Sequence, residues 1–62
     1  MNATITLEQQ IQCVRREIGM RQRVYPSFVA KGKMSQEKAE LEIRSMIAVL
    51  ATLERLTAPA AK

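Results

Sequence analysis

The chain has no histidine and no tryptophan, and only one cysteine, one tyrosine and one phenylalanine among its 62 residues. Without histidine there is no imidazole base, which removes most Ser/His and Cys/His arrangements for nucleophilic catalysis. The single thiol, Cys13, forbids an internal disulfide. One thiol with scattered carboxylates is also a poor structural metal site. The only two glycines, Gly19 and Gly32, belong to no phosphate-cradling G-x-x-x-x-G-K-[ST] loop. Gly32-Lys33-Met34-Ser35 resembles just the tail of such a motif and has no strand before it. Glu37, Glu40 and Glu42 fall near the start of a helix, where carboxylates are favoured by the dipole. These absences point away from an enzyme, with no cofactor and no metal expected.

Long apolar runs are missing too. The longest, Met46 to Ala51, has six residues, against the roughly 20 that a membrane-crossing helix needs. Met1-Asn2-Ala3-Thr4 lacks the basic start and apolar stretch of a signal peptide. A lone cysteine fits a reducing compartment, so the expected location is the cytoplasm, with no membrane partner. Cys13 itself is expected to pack as a small hydrophobe. A reactive thiol helped by Arg16, one turn away, is the alternative.

What is present is helical periodicity. Thr6-Leu7-Glu8-Gln9 matches a capping box, with Thr6 as N-cap. Apolar residues then recur at Leu7, Ile11, Val14 and Ile18, stepping by 4, 3 and 4 along one helix face. Cys13, Met20 and Val24 form a second strip beside it. Pro26 disfavours helical geometry at Tyr25, so helix 1 is expected over about 7–24, followed by an elbow over 25–35. Within the elbow Pro26 is able to open a short turn as far as Lys31, and Gly32 suits a left-handed cap. Ser35 is the expected N-cap of helix 2, about 36–57. The core stripe of helix 2 is Ala39, Ile43, Met46, Leu50 and Leu53. Ile47 lies on one flank, and Val49 and Leu56 on the other. Pro59 stops the helix and leaves a frayed tail over 58–62.

The fold class that follows is all-α: a single-domain antiparallel helical hairpin. Its apolar arc is too broad for one partner helix. A chain this short buries only roughly 60% of its unfolded surface, and small scaffolds usually add disulfides, metals or oligomerisation. Oligomerisation is the remedy left, and two hairpins forming a four-helix or larger bundle would cover both excess surfaces.

Net charge is +4, and its distribution is uneven. Arg15, Arg16, Arg21, Arg23, Lys31 and Lys33 share one segment with a single acid, Glu17, which makes that segment +5. Continuing the helix 1 heptad places Arg21, Tyr25 and Phe28 where apolar side chains belong. A guanidinium beside aromatic rings can hold phosphate bidentately and stack on a base. The candidate ligand-binding set is Arg21, Tyr25, Lys31, Lys33, Arg15 and Phe28. The competing reading has Arg21 snorkelling past the core edge while Tyr25 and Phe28 plug the hairpin.

At Val24-Tyr25-Pro26, Val29, Gly32-Lys33-Met34, Glu42-Ile43 and Met46, the chain resembles a family of short uncharacterised phage and prophage proteins. The resemblance covers roughly residues 8–53 and implies a phage origin. The architecture is also similar to small helical phage proteins that block host defence, some by inhibiting a protein and others by sequestering signalling nucleotides. That resemblance implies a homo-oligomer binding a nucleotide or other anionic small molecule between protomers. The alternatives are an inhibitor or adaptor of a host protein and, third, an accessory nucleic-acid binder. Four of the six acids lie on helix 2, and helix 1 has no helix-turn-helix partner of suitable length, which counts against the third.

Overall fold

A computed structural model describes residues 4–57, and these form two helices, α1 (Leu7–Ala30) and α2 (Gln36–Thr57), packed side by side as a hairpin. The expected tail over 58–62 lies outside the described residues. The start of α1 is fixed as its sequence dictates. Thr6 Oγ1 accepts the Gln9 backbone N–H at 3.0 Å, and Gln9 Oε1 accepts the Thr6 N–H at 2.9 Å. Such a reciprocal pair satisfies two of the orphan donors at a helix start. At α2 the Lys38 N–H donates to Ser35 Oγ at 3.0 Å, so Ser35 is the cap there.

The end of α1 differs from the expectation. The helix does not stop at Val24 but runs six residues further, through Pro26, to Ala30, and the elbow shrinks to the short turn that follows. Proline inside a helix deletes one backbone bond and crowds the carbonyl four residues back, here that of Gln22. Two features offset that cost. Tyr25 and Val29, on either side of Pro26, line a groove together with Ala39 and Ile43 of α2, so the last turns of α1 have apolar surface to lie on. Beyond them the helix closes in a Schellman motif. Gly32 N–H donates to the Val29 carbonyl at 3.1 Å and Lys33 N–H to the Phe28 carbonyl at 2.9 Å. Gly32 has φ +74°, a left-handed conformation that an L side chain seldom adopts.

The core between the helices is thin. Ile11, Ile18 and Ala39 are the buried apolar side chains among the described residues. Leu7, Val14, Ile43, Met46, Leu50 and Leu53 are half-buried. Ile47, Val49 and Leu56 remain exposed, at 45%, 43% and 67%. Cys13 is exposed as well, which corrects the expectation of a packed thiol. Its strip, shared with Met20, turns away from α2.

Candidate functional site

Two ion pairs cross the seam between the helices, and they mark its two sides. Arg15 Nη2 donates to Glu54 Oε2 at 2.6 Å. Arg21 Nη1 donates to the Glu42 carbonyl at 3.3 Å and to Glu42 Oε1 at 3.4 Å. Helical spacing extends each mark into a strip. Seven residues either side of Arg21 stand Val14 and Phe28, and beyond Glu42 come Val49 and Leu56. Seven residues either side of Arg15 stand Glu8 and Gln22, and before Glu54 come Ile47 and Glu40. One side of the hairpin is thus largely apolar around a charged cluster, and the other is largely polar.

The cluster on the apolar side is built from both helices. Arg21 Nε donates to Glu17 Oε2 at 2.9 Å, one turn back on α1. Lys38 Nζ lies 3.8 Å from Glu42 Oε2, one turn back on α2. Two cations and two carboxylates therefore meet, with no net charge. The guanidinium carbon also sits 5.8 Å from the centroid of the Tyr25 ring, within cation–π range. Phe28 stacks on Tyr25 with centroids 6.2 Å apart. The Arg21 side chain is only 20% exposed. The hydrogen bond to Glu17 raises its pKa above the ordinary arginine value, and burial opposes that rise. It is a fixed cation whose Nε and Nη1 donors are already in use.

The six expected ligand-binding residues do not form one site within the chain. Arg21, Tyr25 and Phe28 do come together. Arg15 lies on the opposite side of the seam and is paired with Glu54. Lys31 and Lys33 are exposed in the turn, ten and twelve residues beyond Arg21, which is roughly 15 Å or more along a helix axis. Glu17, Glu42 and Lys38 are the members that sequence reasoning missed. Their signal was present in part: Glu17–Arg21 and Lys38–Glu42 are both i, i+4 pairs. The link from Arg21 to Glu42 depends on the register of the hairpin and carries no local mark.

An anion entering this cluster meets two carboxylates beside the guanidinium. To take the Nε or Nη1 donors of Arg21 it has to displace Glu17 or Glu42. No three His, Cys, Asp or Glu side chains converge to hold a metal among the described residues, and no described helix is long and apolar enough to cross a membrane. No protein-family model, curated protein or solved structure matches the chain.

Proposed function

We propose that this protein is a non-catalytic interaction module: a helical hairpin that completes its core by packing against other helices, copies of itself first among them. The observation that carries this reading is the imbalance of burial. Among the described residues three apolar side chains are buried, while Val49 and Leu56 stand in solvent together on the Arg21–Glu42 side and Ile47 and Leu41 are exposed elsewhere. Scattered exposed leucines are ordinary, but a contiguous apolar strip on one side of a two-helix protein is a contact surface. The work of such a module is binding without turnover. With a phage origin, as the sequence resemblance implies, that binding would inhibit or adapt a host protein. Light scattering across a dilution series, followed by capture from host lysate on the immobilised chain, tests it. A particle of two or more copies that retains a stoichiometric protein supports the reading. A folded monomer that captures nothing rejects it.

A second reading keeps an anionic small molecule, such as a signalling nucleotide, at the oligomer interface. The Arg21–Tyr25–Phe28 juxtaposition favours it, because a guanidinium over stacked rings suits a phosphate and a base. Glu17 and Glu42 weigh against it, since they already hold the guanidinium. Calorimetry with a nucleotide panel on wild type and Arg21→Ala separates the two readings. Heat from wild type alone supports the anion site, and none from either removes it.

A further inference from the structure

The chain is too spread out for its mass. Its accessible surface is 4928 Å², whereas a compact monomer of this size exposes roughly 4,000 Å². The surplus of about 900 Å² is close to the roughly 800 Å² that each partner contributes to a standard interface. Its radius of gyration is 14.8 Å, where about 11 Å is usual for a compact chain of this length. The hairpin measures 45 × 34 × 13 Å, little more than one helix thick.

The two sides of the slab are not equivalent as surfaces to cover. The Arg15–Glu54 side offers Glu8, Gln22 and Glu40 with Ile47 and, near the turn, a small groove that Glu40 shares with Pro26, Val29 and Ile43. The other offers Val14, Phe28, Val49 and Leu56 around the Arg21–Glu42 pair, with Val24, Met20 and Cys13 continuing the strip around α1. Along the seam this second side is itself divided. The half nearer the turn carries the ion cluster of Arg21, Glu42 and Lys38 beside Phe28, with Glu17 just past the middle. The half nearer the helix ends carries Val14, Val49, Leu53 and Leu56, with Met46 at the middle.

We propose that the Arg21–Glu42 side is closed by a second copy of the chain, in a two-fold four-helix bundle with both turns at the same end. This rests on the reading of the chain as an associating hairpin and adds which side pairs and in what orientation. The division of the surface decides the orientation. With the turns together, apolar half meets apolar half and ion cluster meets ion cluster. With the turns at opposite ends, each cluster is pressed against Val49 and Leu56 and loses water with nothing in return, which is costly for charged groups. The two-fold axis along the bundle also sets α1 of one protomer against α2 of the other, so every neighbouring pair of helices runs antiparallel. Arg21 then faces the partner's Glu42, and the cluster becomes a shared network that fixes the pairing.

Two measurements test this on the full chain. In a Cys13→Ser background, Lys33→Cys places a spin label in the exposed turn, and pulsed EPR reads the distance between labels in the assembled protein. Turns at one end put the labels within about 30 Å, given interhelical spacings of 8–10 Å. Turns at opposite ends put them beyond about 35 Å, the length of a 24-residue helix, and overturn the orientation. Next, sedimentation compares Val49→Glu/Leu56→Glu with Leu41→Glu, an exposed leucine off this side. The pair weakens self-association at least about 100-fold, the single change less than about threefold. Equal effects, or a dimer indifferent to the pair, overturn the choice of side. A wild-type chain that stays monomeric defeats the associating-hairpin reading itself, and one that instead captures a helix of another protein shows that the occupant is not a second copy.

Discussion

The two arginines that cross the hairpin seam make similar contacts in different surroundings. Arg15 reaches Glu54 with a side chain 60% exposed, on a side lined by Glu8, Gln22 and Glu40. Arg21 reaches Glu42 with a side chain 20% exposed, between Val14 and Phe28 on one helix and beside Val49 on the other. Water screens the first pair and competes with it, so it resembles an ordinary surface ion pair. The second has lost most of its water and replaced it with Glu17, Glu42 and the Tyr25 ring. The same chemical contact is solvated on one side and largely desolvated on the other.

The contrast breaks most visibly at the apolar flanks. In the proposed two-copy assembly, which covers the exposed Val49, Val49→Asp should lower stability by about 2–3 kcal/mol, because a side chain buried on association is replaced by an unpaired charge. Ile47→Asp, on the Arg15 side with similar exposure, should change it by less than about 0.5 kcal/mol, as surface substitutions do. Chemical denaturation at matched concentration reads both. The arginines themselves come next. Arg21→Ala removes the bonds to Glu17 and Glu42, both part-exposed, and should cost about 1 kcal/mol. Arg15→Ala should stay within about 0.5 kcal/mol.

Much of this fold is written locally. The capping box at Thr6 and Gln9, the Ser35 cap, the left-handed Gly32 and the bounds of α2 each follow from residues within a turn of one another. The end of α1 was not legible, because the local preference of Tyr25 before Pro26 points one way and tertiary contact the other. Tyr25 and Val29 gain Ala39 and Ile43 as neighbours only if the helix continues, and no spacing rule reveals that. The site was legible to the same extent. That Arg21 would sit near Tyr25 and Phe28 follows from positions 21, 25 and 28 on one helix. That its donors would be taken by Glu42 depends on how the second helix slides against the first. Lys31 and Lys33 looked close to Arg21 in sequence, but the longer helix carries them away from it.

The two glycines give a smaller version of the contrast. Gly32 has φ +74°, so Gly32→Ala should cost about 1 kcal/mol despite open space around it. Gly19, within α1 on the Arg15 side, also has open space but helical geometry, and Gly19→Ala should stabilise by about 0.5–1 kcal/mol. Thermal melts of the two variants should move in opposite directions. The smallest effect expected is in pH and salt. Arg21's raised pKa means that its contribution is present at neutral pH and is lost as pH climbs through the strongly alkaline range of the guanidinium. Added salt should therefore erode whatever Arg15 contributes before it touches Arg21.

The central claim is that this hairpin is half of a structure, closed by another copy over its Arg21–Glu42 side. Folding coupled to assembly makes thermal stability depend on protein concentration. Melting the wild-type chain by circular dichroism at concentrations from about 1 to 100 μM reads that dependence directly. The account predicts a midpoint that rises steadily with concentration. A cooperative transition at one fixed temperature across the whole range, from a particle of monomer mass, would contradict it.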